Sequence, residues 1–288
     1  MIKTILVAAS GDDGDAATFA AALAIAQHFA AHLDVLHVRV DAVSAAVAMM
    51  TDAGSGAAAA GLIEQLEQDA SGREAKARDI FTRFCRGAKL AEISAPPGSG
   101  AAAASAEWHV ETGDEPRWMA AYGVAADLIV APRATGEAVL ARTTLEAVLL
   151  ETGRPLVIPA AAPMPASFAR IAIAWKPTPQ AARAVALAMP FLARAKEVVV
   201  ITVDEEAGAG DAAAPLVRNL LWHGLSARTE QLKPGPEGAA ATLLAGARER
   251  ADLLVMGGYG HTRLREWVFG GFTQSVLDDA PLAVLIAH

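Results

Sequence analysis

Two kinds of hydrophobic pattern alternate along the chain. Short, continuous apolar runs, such as Thr4 to Ala9 and Leu33 to Val38, are separated by a longer stretch from about Asp15 to Ala31. In that stretch Phe19, Leu23, Ile25, Ala26 and Phe29 recur near a 3.6-residue period, which predicts a helix. Apolar runs that are continuous rather than alternating are expected of strands buried on both faces of a parallel sheet. Strand, helix and strand in turn predict βαβ units and an α/β fold.

The order then repeats. Arg170 to Trp175 reads as a strand, Pro179 to Ala193 as a helix and Glu197 to Val203 as a strand. Ala126-Asp127-Leu128-Ile129-Val130 parallels Ala251-Asp252-Leu253-Leu254-Val255, and Leu156-Val157-Ile158 parallels Val284-Leu285-Ile286. Agreement at both ends of each half, in the same order, predicts a duplication into residues 1–160 and 168–288, each written β-α-β-α-β-α-β-α-β. The Pro/Ala-rich stretch from Pro159 to Pro165 suits a linker. The first half is longer by Val43–Gly61 and Pro96–Ser105, which read as mobile, low-complexity insertions.

Composition narrows the choices. With 53% hydrophobic and 19% charged residues the chain is a folded one, and with 5% aromatics its core rests on Leu, Val, Ile and Ala. The balance of 24 Lys+Arg against 32 Asp+Glu, a formal charge of −8, argues against a general nucleic-acid coat. The single cysteine, Cys85, excludes an intrachain disulfide and a Cys-rich zinc site. It suits a reducing cytosol, and its place after Phe81 and Phe84 predicts a buried, inert thiol. The opening residues Met1 to Val7 read as a first strand rather than a cleavable leader. No strongly apolar run is long enough for a bilayer span. The expectation is a cytoplasmic protein with no membrane or nucleic-acid partner. His28 and His32, four apart on the predicted helix, supply two ligands, short of a structural zinc set, so no metal site is assigned.

Three matches to G-x-G-x-x-A, at Gly54/Gly56/Ala59, Gly98/Gly100/Ala103 and Gly208/Gly210/Ala213, do not directly follow the first strand of a βαβ unit and reflect composition. Neither a Walker A sequence nor a G-x-S-x-G elbow occurs. The informative stretch runs from Val255-Met256-Gly257-Gly258-Tyr259-Gly260 through His261–Phe269 to Gly270-Gly271-Phe272-Thr273. It starts at the carboxyl end of an apolar strand, where open α/β sheets bind ligands. Gly270-Gly271 stands just before a predicted helix, about Phe272 to Asp279, whose free N–H groups suit a phosphate. Arg263 and Arg265 lie in the same loop, and Trp267, Val268 and Phe269 read as packing residues. On spacing alone, glycines that only make tight turns serve equally well.

The pattern G-x2-G-x9-G followed by a small residue resembles the nucleotide-binding signature of the universal stress protein family. The resemblance covers nearly the whole chain as two domains in tandem. It includes Ile5-Leu6-Val7, Leu36-His37-Val38, Ile171 to Trp175 with Ala181 to Val185, and Asp279-Ala280-Pro281 with Val284-Leu285. It implies two Rossmann-like domains of the adenine nucleotide alpha hydrolase-like type, each with a five-stranded parallel sheet in the order 3-2-1-4-5. It also implies ATP or a related adenine nucleotide, with magnesium as companion ion. The phosphates would lie against Gly257, Gly260, Gly270, Gly271 and Thr273, and the base and ribose near Ala174, Trp175, Lys176 and Val203; Met256, His261 and Phe272 flank these positions.

Two departures matter. Gly271 stands where the family has a hydroxyl residue, and Lys176 (Ser10 in the first half) where it has an acid that contacts ribose or base. A lysine cannot accept a hydrogen bond from a ribose hydroxyl. In the first half the loop reads Ala131-Pro132-Arg133-Ala134-Thr135-Gly136, and Arg142-Thr143-Thr144 replaces the later glycine pair, so no ATP is expected there. Arg133 reads as a solvated surface side chain or one that faces an anion.

Three functions stay open: a nucleotide-binding stress-response or signalling module, a ligand-free protein that works through protein partners, and a slow ATPase in which His261 orients a water. No catalytic residue is assigned. In the 3-2-1-4-5 order Leu156–Ile158 and Val284–Ile286 are apolar sheet edges, which invite pairing. The two domains are therefore expected to pack edge to edge as an intramolecular pseudo-dimer. Further homodimerisation of the chain is left open.

Overall fold

The computed structural model describes residues 1–12, 14–49, 56–98, 100, 103–133, 139–160, 167–203, 212–258 and 271–288. The first half runs β1 (Thr4–Ala8), α1 (Asp15–Phe29), β2 (His32–Arg39), α2 (Ala42–Met49), α3 (Gly56–Ala88), β3 (Ala91–Glu92), β4 (Ser105–Thr112), α4 (Glu115–Gly123), β5 (Leu128–Val130), α5 (Val139–Glu151) and β6 (Leu156–Ile158). The second half runs β7 (Arg170–Ala174), α6 (Pro179–Leu192), β8 (Glu197–Val203), α7 (Ala214–Trp222), β9 (Ala227–Leu232), α8 (Gly238–Arg250), β10 (Leu253–Gly257), α9 (Gly271–Asp279) and β11 (Ala283–Ala287).

All the strands join one sheet in the order β3-β4-β2-β1-β5-β6-β11-β10-β7-β8-β9. Each half contributes a 3-2-1-4-5 run, β4-β2-β1-β5-β6 and its mirror β9-β8-β7-β10-β11, parallel throughout. The halves meet where apolar edges were expected. β6 and β11 pair antiparallel, with Val157 opposite Leu285. That pairing removes two exposed edges at once.

Local chemistry sets the element ends. α4 and α6 open on side-chain caps: Asp114 accepts from the Arg117 amide at 3.2 Å and Thr178 from the Ala181 amide at 3.3 Å, each followed by proline in the first turn. α1 closes on Ala30 in the left-handed region, φ 52°. The chain therefore leaves the helix before His32, which opens β2. His28 and His32 sit on different elements and not on one helix face.

The first-half insertions also differ from expectation. Val43 to Met49 belongs to α2, and α3 starts at Gly56, so much of the first stretch is helical. The reason is periodicity further along: Ala70, Ala77, Phe81 and Cys85 form a buried stripe on α3. Phe81 packs on Phe19 and Trp108, at ring separations of 6.4 and 5.2 Å. The second stretch ends as Ser105 enters β4. Part of the linker, residues 161–166, lies outside the described residues.

Apolar side chains fill both faces of the sheet, and each face is continuous across the two halves. On one face Phe29 of α1, Phe168 and Phe191 of α6 stack edge to face, 4.8 and 5.2 Å apart, directly between the halves. Among the described residues no helix is long and apolar enough to cross a membrane.

Candidate functional site

The carboxyl ends of β7, β8 and β10 lie side by side in the second half. Ala174 pairs with Met256 on one side and Ile201 on the other, and the Trp175 amide donates to the Ile201 carbonyl at 2.8 Å. Val203 closes β8 two residues further along. Because β10 and β11 are parallel, the connecting α9 runs back against them and its N-terminus lies at this same edge. Ala174, Trp175, Lys176, Val203, Met256, Gly257, Gly271, Phe272 and Thr273 are thus drawn to one rim. Gly260, His261 and Gly270 lie outside the described residues, as do Arg263, Arg265 and the apolar Trp267–Phe269.

The residues at the rim differ in what holds them. Trp175 is half-buried; its indole N–H donates to the Ala212 carbonyl at 3.0 Å and its ring leans on the core. Lys176 is exposed. A Cβ on Gly257 would stand 2.5 Å from the Ala181 nitrogen and 2.6 Å from the Gln180 carbonyl carbon, so this glycine lets the first turn of α6 close onto the end of β10. Gly258, which follows, is buried against Ile286 and against Leu149 of the first half. Gly271 has open space around it, Phe272 is exposed, and Thr273 is buried in the packing of α9. The first four N–H groups of α9 have no partner within the helix. At α6 the Ala181 amide is already capped by Thr178 and Pro179 has no N–H to offer.

The matching rim of the first half is furnished by carboxylates. Asp15, fully buried, accepts from the Ser10 amide at 2.8 Å, the Ser10 hydroxyl at 2.7 Å and the Gly11 amide at 2.8 Å. Burial pushes its carboxyl above the usual range, with these hydrogen bonds opposing. Glu115 bonds Thr144, in the stretch that replaces the second half's later glycines; its carboxyl is also raised by burial, and by Asp12, Asp114 and Asp15 nearby. The amides of the β1–α1 turn are thereby occupied from within, and the edge repels anions.

Arg133 corrects the sequence-based expectation. It is not a freely solvated side chain, although the carboxylates of Asp278 and Asp279 lie near it. It is partly buried and crosses to the second half, donating to the carbonyls of Leu277 and of Ala280 (2.9 Å) at the C-terminal end of α9, and to Pro159 at 3.3 Å. A cation at a helix C-terminus satisfies carbonyls that the helix leaves unpaired. No signal in the sequence joins residues this far apart.

A scan against protein-family models finds no match, and a search of curated proteins finds no relative. Solved structures do match over the full chain. A universal stress protein from Archaeoglobus fulgidus DSM 4304 superposes with a TM-score of 0.69 at 16% identity, covering 99% of this chain and 95% of that one. A protein of Pseudomonas aeruginosa UCBPP-PA14, provisionally described as a universal stress protein, gives 0.54 at 17% identity, covering 99% and 93%. A functionally unknown protein of Pseudomonas aeruginosa PAO1 gives 0.54 at 16% identity, covering 99% and 92%. The fold is that of tandem universal stress protein structures: two Rossmann-like halves in one chain.

Proposed function

We propose that this chain is a tandem universal stress protein, with domains at residues 1–160 and 168–288, whose second domain alone binds an adenine nucleotide and acts as a cytoplasmic stress-response or signalling module. The contrast between the two rims carries this reading. In the first half Asp15 and Glu115 occupy the amides and hydroxyl that an anion would need. In the second half Ala181 stands where the first has Asp15, and Lys176 and the start of α9 offer positive charge.

The residues fit a phosphate better than a ribose. Lys176, the amides of α9 and the loop glycines suit a polyphosphate, whose remaining charge a magnesium ion would offset. The acid that would accept from ribose hydroxyls is missing. The nucleotide is therefore held chiefly through its phosphates, and ATP and ADP bind more tightly than AMP, which binds more tightly than adenosine.

Titration calorimetry of the full chain with ATP, ADP, AMP and adenosine, with and without magnesium, tests this order. Absence of heat at millimolar ATP overturns it. The second reading, a ligand-free protein acting through partners, is favoured by the exposed Leu221 and Trp222 on α7. A nucleotide carried through gentle purification and identified by mass spectrometry counts against it.

A further inference from the structure

We propose that the first half binds a divalent transition-metal ion of the zinc type through His32 and Asp34 of β2 and Glu107 and His109 of β4. Asp34 is in register with Glu107, and side chains two apart on a strand share a face, so all four residues project from one side of this strand pair. They lie toward the amino ends of the strands, opposite the rim proposed for the nucleotide.

The shorter separations are close to those within a coordination sphere. Asp34 Oδ1 is 3.5 Å from His32 Nε2 and 3.3 Å from His109 Nε2, and His109 Nε2 is 3.7 Å from Glu107 Oε2. The His109–Asp34 pair is also within hydrogen-bond reach, at the long end of the range. The edges of a zinc tetrahedron, from bonds of about 2.0–2.2 Å, are about 3.3–3.6 Å. Ligand atoms of His32, Asp34 and Glu107 all lie within 4.8 Å of one another, and His109 adjoins Asp34 and Glu107. Two imidazoles and two carboxylates are a donor set that zinc accepts.

Supporting contacts orient the ligands. Nδ1 of His32 is 2.8 Å from the hydroxyl of buried Ser105, which leaves Nε2 toward Asp34. With the proton on Nδ1, the Nε2 lone pair is free for a metal. The His109 ring packs on Tyr122, 5.7 Å between centres. The four side chains are 18 to 29% exposed, open enough for an ion to enter and shielded enough to hold it.

The duplicated half provides an internal comparison. Register through Ile5–Leu33–Ala106 and Ile171–Val198–Ala227 makes His32, Asp34, Glu107 and His109 equivalent to Glu197, Val199, Arg228 and Glu230. There Arg228 joins Glu197 at 2.8 Å and Glu230 at 3.1 Å, so a guanidinium serves as the cation between carboxylates. The first half has no Lys or Arg at these four positions and has two imidazoles instead. A bound metal ion would supply the positive charge and clamp β2 to β4.

Untagged, chelator-stripped full-length protein, titrated with Zn²⁺ against a chromophoric competitor, tests the site. One ion per chain with a Kd below about 1 μM is expected. Asp34→Asn and His109→Ala should each weaken it at least about tenfold, and the H32A/H109A double variant at least about 100-fold. Co²⁺ loading should give an intense tetrahedral visible band, absent in D34N. Circular dichroism checks each fold, and Glu107→Gln substitutes for any variant that does not fold. Binding weaker than about 1 μM, or an affinity unchanged in D34N and the double variant, overturns the proposal. Neither result bears on the nucleotide reading.

Discussion

A Cβ on Gly257 would stand 2.5 Å from the amide nitrogen of Ala181, with backbone rather than a flexible side chain in its way. Gly257→Ala should therefore destabilise the fold by about 1–3 kcal/mol through overpacking. Gly271, surrounded by open space, should tolerate alanine within about 0.5 kcal/mol. Urea denaturation of the two variants checks the difference. Loss of nucleotide binding in G257A would then report on folding, and only G271A is a clean probe of ligand contact.

Lys176 is exposed, so its replacement disturbs no packing. Lys176→Asp restores an acceptor for ribose hydroxyls while placing a negative charge beside the phosphates. A charge-assisted hydrogen bond of about 1.5–3 kcal/mol predicts at least tenfold tighter adenosine binding. ATP binding should not improve in parallel. Calorimetry with both ligands on both proteins measures the split.

Arg133 ties the halves together at the carbonyls of Leu277 and Ala280 and also bonds Pro159 of its own half. Arg133→Met leaves these acceptors without their donor, at a cost of about 1–3 kcal/mol. Arg133→Lys keeps the charge but not the fork, and should recover only part. Chemical denaturation followed by tryptophan fluorescence reads both.

His28 sits among Phe29 and Phe168 with its Nε2 buried. Burial, then the nearby Arg194, hold its pKa below the usual 6.5. The unfolded chain thus binds that proton more tightly than the folded one. Its contribution is complete above pH 6.5 and is lost as the pH falls through the folded-state value. The stability difference between wild type and His28→Gln should narrow between pH 7.5 and about pH 5, measured by urea midpoints.

Cys85 is buried on α3, and burial, then Glu92, push its thiol up to about 11, against Arg78. Thiolate is the reactive form. A thiol reagent at pH 8 should leave the native protein unmodified over hours and label one cysteine per chain once it is denatured.

Much of the architecture is legible in the residues because it depends on near neighbours. Continuous apolar runs mark β1, β7 and β8, and the helical period of Phe19, Ile25 and Phe29 marks α1, within a residue or two. The duplication and the apolar last strands lead to the β6–β11 edge, since two unpaired apolar edges in one chain are satisfied by one another. The low-complexity start of α3 misleads, because its buried stripe comes only later along the helix.

The candidate sites were legible only in part. Short-range pattern by itself determined most of the elements and their repeated order. The tertiary structure alone decided that Asp15 fills the first rim, that Gly257 serves packing while Gly271 does not, that Arg133 caps α9, and that His32 and His109 both reach Asp34 while His28 sits on another element. Each of these depends on which side chains fold back onto a turn or meet across strands and helices, and spacing along the chain carries no information about that.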